Sequence, residues 1–373
     1  MVQLLRLWRG LGAGLALLIG GGLAAPVLAQ TAKGQGAGAD LTIATWGGFY
    51  QRAQTQVLAE PFGFQSGKSV AVVTFTGQPD EVRQRVDAYR SSGQPLGWDV
   101  LDLERSDAEQ LCFEGVLRPL DLVRMGLGDA ENDFVHGGIG LCWVGNVVWS
   151  QSFAFDRRLY SGAEPFALAD AFDTLLFPGR RVLTHSAQGL MELALLSDGV
   201  SPERVYEVLG TPAGVTQAVA VLNLIRNDTH FVDTPADAFN ELQTGRAAMA
   251  MIHHFEALRA ARAGQPFIGF IWDNHVVDMD VFAVPSGAGN PTLAMEFIAN
   301  VSRAAYQSAM ATVTGYGPAR LSAAQAARED LRAWLPTAPA AIPHALLFDA
   351  AFWTSPEGIS AQAAFDGWRL SIE

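Results

Sequence analysis

The sequence predicts an α/β protein of two lobes, each a mostly parallel sheet flanked by helices, with crossover strands joining the lobes. Three observations carry that prediction. Strand-like and helix-like stretches alternate repeatedly from Leu41 onward, which is the mark of a largely parallel, helix-covered sheet. The 373 residues, 49% of them hydrophobic, exceed what one ordinary core holds and suit two. Two long apolar, β-rich runs, Val144 to Phe155 and Ile271 to Pro285, are of a length to pass from one lobe to the other.

Taken in order, residues 1–29 place Arg6 and Arg9 before an apolar Leu/Ala/Gly stretch and end in Val27-Leu-Ala29, a small-residue cleavage pattern. A cleaved signal peptide and a periplasmic mature protein are expected. Pro26 and the glycines interrupt the run, which argues against a retained anchor, and no later segment reaches about 18 uninterrupted apolar residues. Residues 30–40 form a Gly/Ala/Gln linker. Its spaced glycines lack the preceding strand that a phosphate loop needs.

Leu41 to Thr45 reads as a strand running through Trp46-Gly47-Gly48 into a helix over Phe49 to Ala59. Such a turn presents backbone N–H groups and an aromatic ring to a cleft at the strand's carboxyl end. Further strands are expected at Val70 to Phe75 and Trp98 to Glu104, with helices over Asp80 to Arg90 and Asp107 to Glu114. Glu104 falls where strand becomes helix, again at the cleft edge. Beyond the first crossover, a strand ends near Leu183, helices follow at Leu190 to Ser197, Pro202 to Leu209, Thr216 to Arg226 and Pro235 to Thr244, and a strand over Ala247 to Ile252 delivers His253, His254 and Glu256. One helix is expected over Leu293 to Met310, and a closing helix over Ala361 to Leu370. The lobes are thus expected at 41–150 with 280–335, and at 151–279, with a tail at 336–373 packing on the second lobe or the hinge.

The return run holds the most informative residues. Asp278 and Asp280 stand two apart in a segment otherwise apolar enough to be buried, so they share a face of the strand. Like charges that close favour a cation between them. Cys112 and Cys142, the two cysteines, can close one disulfide in an exported chain, or remain as buried thiols.

Seven segments, in this order and spacing, resemble the spermidine/putrescine type of extracellular solute-binding proteins of bacterial ABC importers. They are Ala44-Thr-Trp-Gly-Gly48, Trp98-Asp-Val-Leu-Asp-Leu-Glu104, Cys112 with Glu114 to Asp121, Cys142 to Trp149, Phe177-Pro-Gly-Arg180, Asp280-Val-Phe-Ala-Val-Pro285 and Gly315-Tyr-Gly-Pro318. The resemblance implies the two-lobe, type II periplasmic-binding-protein fold, closing on a small solute that is delivered to an inner-membrane ABC permease. It also implies a monomer that is no enzyme and needs neither cofactor nor metal. In that family carboxylates hold the ligand's ammonium groups and aromatic rings wall its methylene chain, which fits the strength of charge-assisted hydrogen bonds and the pull of ring faces on cations. Matched by position, Trp46 is a wall, Asp280 the acid that meets an amine, and Tyr316 an aromatic near the cleft, with Glu256 where some relatives have another acid; Gly47 and Glu104, at the strand ends, and His253 complete the expected site. The chain departs from the pattern at Gly48, where an acid can stand, at His253, where an aromatic is frequent, and at Asp278, where an aromatic is also frequent.

Charge narrows the partners. The formal charge is −13, and without the leader 23 basic against 38 acidic residues leave −15, which argues against nucleic acid. Two rivals to a cationic, polyamine-like solute are a metal-binding protein, using His253, His254, Glu256, His275, Asp278 and Asp280 as ligands, and an exported hydrolase. The histidine spacing matches no standard zinc pattern, and the sequence lacks Gly-x-Ser-x-Gly and His-Glu-x-x-His.

Overall fold

The structure, a computed structural model, describes residues 38–373; the expected leader and most of the linker lie outside them. Its strands are β1 (Leu41–Thr45), β2 (Val70–Thr74), β3 (Val100–Glu104), β4 (Trp143–Asp156), β5 (Arg181–Thr184), β6 (Thr229–Val232), β7 (Met249–His253), β8 (Ile268–Phe270), β9 (His275–Ala283), β10 (Gly317–Pro318) and β11 (Ala345–Leu347). They join in one sheet of order β2-β1-β3-β9-β4-β7-β5-β6, with β11 on β9 and β8 and β10 on β4.

The two crossover strands organise this sheet. β4 pairs with β9 along Trp143–Gln151 and then with β7 over Gln151–Phe155, while β9 also pairs with β3. All these pairs are antiparallel. The outer strands of each lobe are parallel: β1 with β2 and β3 on one side, β5 with β6 and β7 on the other. β9 is buried along its whole length because it has strands on both edges and chain on both faces, which explains its near-continuous apolar sequence.

The apolar residues divide into two main cores. One joins Leu41 to Val148 with Val277 to Ala319; the other joins Phe153 to Val276 with Leu346, Trp353, Ala361, Phe365 and Trp368 of the tail. Local sequence explains the helix ends. Pro79–Ser92 begins with proline and carries Asp80 and Glu81 in its first turn, suiting the helix dipole, and it stops at Gly93 with φ 70°. The single helix expected over Leu293 to Met310 is instead two, Pro291–Val301 and Ala304–Thr314. Arg303 is extended at the break, and the freed Ser302 carbonyl accepts a hydrogen bond from Arg320 Nη1 at 3.0 Å. Four short strands, β6, β8, β10 and β11, escaped the sequence reading; two to four residues are too few to show a period.

Cys112 and Cys142 are joined, with Cα atoms 5.8 Å apart. They tie the helix Arg105–Phe113 to the start of β4 across a separation of 30 residues, a closure worth roughly 3–4 kcal/mol in the chain-entropy account.

Candidate functional site

Between the ends of β1, β3, β4, β7 and β9 lies a recess of about 260 Å³ lined by Trp46, Tyr50, Glu104, Trp149, His253, Phe255, Asp280 and Tyr316. A larger cavity of about 640 Å³ shares Glu104 and Trp149 with it. That cavity continues to Asp278 and to Gln151, His185, Ser186 and Gln188 on the far side. The structure therefore gathers five of the residues singled out in the sequence, Trp46, Glu104, His253, Asp280 and Tyr316, in one recess, and sets Asp278 in the cavity beside it.

Each wall has a local cause. Trp46 leaves β1 and its ring lies against Gly77, where a Cβ would come within 2.1 Å of the indole; Gly77 also has φ 76°, so only glycine fits there. Behind Trp46 the rings of Phe75 and Trp98 continue the contact at 5.9 and 5.4 Å between centroids. The opposite wall is an arc of rings. Tyr50 meets Tyr316 at 5.4 Å, Tyr316 stacks on Phe255 at 4.4 Å, Phe255 stacks on His253 at 5.3 Å, and His253 meets Trp149 edge-on at 5.2 Å. The buried indole N–H of Trp46 has no hydrogen-bond partner among the described residues.

Gly47, Gly48 and Glu256 do not line the recess. Gly47, with φ 88°, makes the turn into the helix Gly48–Gln54, where a side chain would strike Thr74. The Glu256 carboxylate folds back to accept from the His253 backbone N–H at 3.4 Å, capping the helix His254–Arg262. Burial pushes it up to about 7.

The acids are placed by strand register. On antiparallel β3 and β9, Glu104 lies opposite Asp280 and Asp102 opposite Phe282, so Asp102, Glu104, Asp278 and Asp280 all project from one face of the sheet. Directly opposed Cβ atoms sit about 5 Å apart, where two full charges at an effective dielectric constant of about 20 repel by roughly 3 kcal/mol. Burial, and then the neighbouring Asp102, Glu104 and Asp278, hold the Asp280 carboxyl well above its ordinary range. Burial likewise raises Glu104, and raises Asp278 to about 7 even though Arg105 Nε stands 3.6 Å from its carboxylate. Asp102, fully buried, is raised by burial to about 6 and accepts hydrogen bonds from Gln54 Nε2 at 2.7 Å, Thr45 Oγ1 at 3.1 Å and Asn146 Nδ2 at 3.3 Å.

The histidines divide differently. His254 Nδ1 accepts from the Ser150 backbone N–H at 3.1 Å and its Nε2 faces the Gly315 carbonyl at 3.0 Å. His275 Nδ1 meets the Ser150 hydroxyl at 2.8 Å and its Nε2 faces the Ala341 carbonyl at 3.1 Å. Both therefore carry their proton on Nε2, neutral, with burial holding them near 3 and 4. Their nitrogens are occupied by the fold. Among the described residues no group of three or more His, Cys, Asp or Glu side chains is arranged to hold a metal ion.

Tyr50, Asp102, Trp149 and Phe255 were not singled out in the sequence. Trp149 stands at the end of a quoted segment and Phe255 beside His253, so adjacency was the available signal for both; nothing in the sequence pairs Asp102 with Asp280.

The sequence profile described as bacterial extracellular solute-binding protein matches residues 57–343, most of the chain. The chain belongs to the bacterial extracellular solute-binding proteins. It is 31% identical over 341 residues to a gamma-aminobutyric acid-binding protein of Pseudomonas aeruginosa, covering 91% of this chain and 94% of that one. It is similar to the solved Atu4243–GABA receptor, with TM-score 0.72, 26% identity, and coverage of 88% of this chain and 97% of the receptor. A spermidine/putrescine substrate-binding protein of Streptococcus pneumoniae shares the fold alone: TM-score 0.70 at 15% identity, over 88% of this chain and 99% of the other. This solute-binding protein thus has the two-lobe fold and the transporter role that the seven segments imply. Its matched relatives are solute-binding proteins rather than enzymes. The resemblance to the spermidine/putrescine type in particular has no counterpart in the relative with the 31% match, whose named ligand is GABA.

Proposed function

We propose that this solute-binding protein captures a small ω-amino acid of the GABA type in the periplasm and hands it to an inner-membrane ABC permease. In this reading the lobes are 41–150 with 280–335, and 151–279 with the tail 336–373 against it; the two main cores divide close to these bounds, with Val277 and Met279 packing on the first. The observation that carries the reading is Asp280: a carboxylate only 7% exposed, opening on an aromatic recess in which no lysine or arginine stands. An ammonium there donates charge-assisted hydrogen bonds to Asp280 and Glu104 and lies against the ring faces of Trp46, Tyr50 and Trp149. The ligand's carboxylate then extends into the larger cavity, toward Gln151, Ser186 and Gln188 on the wall that faces Glu104 and Asp278. The names of the relatives support this ligand class.

A second reading, a polyamine such as putrescine, is favoured by the four carboxylates on one sheet face, which suit more than one positive charge. Isothermal calorimetry with GABA, putrescine and an anionic control separates them. GABA binding at least tenfold tighter than putrescine supports the first reading. The reverse order selects the polyamine, and binding of the anion alone removes the carboxylate-cleft assignment.

A further inference from the structure

Resting on an ammonium-bearing ligand at Asp280, we infer that the empty site keeps a proton on the Asp280 carboxyl and that the ligand's ammonium displaces it, so that each molecule bound releases one proton to solvent.

The argument starts from what faces Asp280. From β3 come Asp102 and Glu104, and from β9 itself Asp278, which Arg105 Nε faces at 3.6 Å. From the helix Gly48–Gln54 comes Tyr50, and Tyr316 stands across the recess. His253 is neutral, held near 4 by burial, and β4 contributes Trp149, an uncharged side chain and the one hydrogen-bonding neighbour that works against the rise. Arg259 lies near Glu256 and Tyr316, and no cation is among the groups that shift Asp280. Burial of the Asp280 carboxylate, with three acids beside it and no counter-ion, favours its protonated form.

Hydrogen bonding decides whether Asp102 or Asp280 holds the proton. Asp102 accepts from three neutral donors, Gln54, Thr45 and Asn146, an arrangement suited to a carboxylate anion. Asp280 has no such set. The charge therefore rests on Asp102, deep in the fold, and the proton on Asp280, at the recess. When an ammonium arrives, the Asp280 O–H bond breaks, the proton passes to buffer, and an N–H···O contact forms between ammonium and carboxylate. No electron is transferred.

The test is calorimetric titration of the wild-type protein with GABA, and separately with putrescine, at pH 7 in three buffers of different ionisation enthalpy. The observed enthalpy should vary with buffer enthalpy by a slope of about one proton released per ligand. Affinity should also rise up to about tenfold per pH unit from pH 6 toward 8, until the free carboxyl ionises. Asp102→Asn removes the neighbouring charge, so the rising limb of that profile should move to lower pH by at least one unit; a residue that merely packs would change affinity without moving the profile. Binding with zero slope in all buffers overturns the proton exchange while leaving the ligand assignment intact. Failure of every amine to bind overturns the ligand assignment, and the proton exchange falls with it.

Discussion

Two regions on the same crossover strands bury polar groups in opposite ways. At the Ser150 node, between β4, β9 and the start of the helix His254–Arg262, His254 and His275 are wholly buried, and each ring nitrogen has a partner supplied by the fold. A few residues along β9, four acids share one face, and a single arginine stands near one of them. The fold completes the first set and leaves the second incomplete. Buried polar groups without partners cost stability, and the proposal of an ammonium at the recess beside Asp280 gives these acids the partner that the fold does not.

The largest effect that would break this contrast is at the histidine node. His254→Phe keeps a ring but strands the Ser150 N–H and the Gly315 carbonyl, each a loss of about 1–3 kcal/mol. Denaturant unfolding should show the protein destabilised by roughly 2–6 kcal/mol. The histidines also set a pH signature. Their folded values, near 3 and 4, lie below the unfolded 6.5, so their contribution is complete above about pH 6.5 and is lost as pH falls toward 4. A His254→Phe variant as stable as wild type would mean that the node is ordinary packing.

Asp280→Asn should act the other way. Affinity for an ammonium ligand should fall about 10- to 100-fold, since each 1.4 kcal/mol is tenfold, while the ligand-free fold loses nothing or gains. The sign follows from the raised carboxyl: it stabilises the fold below the unfolded carboxylate value, and that contribution is lost as pH rises through the folded value. Thermal unfolding of the empty wild type should therefore carry a decline of up to about 1.4 kcal/mol per pH unit above pH 4 that the variant lacks. If Asp280→Asn unfolds more easily and binds as before, the acid face is structural and the comparison fails.

The smallest expected effect sharpens the picture of the recess itself. Trp46→Ala removes one ring face from the ammonium and should weaken binding about 3- to 30-fold, the range of a partly desolvated cation–π contact. Competition with a neutral, isosteric ligand would check it. Equal losses for charged and neutral ligands would assign Trp46 to shape rather than to charge.

How far the site was legible follows from what each residue depends on. Asp280 could be read from the sequence because a carboxylate in an apolar run is conspicuous without any neighbour. Trp46 and Glu104 could be read because both end strands at the carboxyl edge of an alternating α/β layer. Gly48 and Glu256 were read into the site and serve instead as helix start and helix cap, jobs that local sequence describes equally well.

The sequence by itself determined the alternation of strands and helices, the two long crossover runs and the buried acids, because periodicity and composition are local properties. Only the tertiary structure decided which acids meet. The register of β3 against β9 sets Glu104 opposite Asp280 and adds Asp102 to the same face, an alignment of residues some 176 positions apart that no local pattern encodes. It also decided which way β4 faces. Val144 and Trp149 are an odd number of residues apart, so regular alternation would point them to opposite faces; a bulge at Asn146 inserts one extra residue between Gly145 and Val147 and brings Trp149 opposite Asp278 on the face that carries the acids. The bulged residue turns inward, where Asn146 Nδ2 reaches the Tyr50 hydroxyl at 2.9 Å and Asp102. A strand's two faces are set by counting along the pairing, and the count can change only where two strands lie side by side.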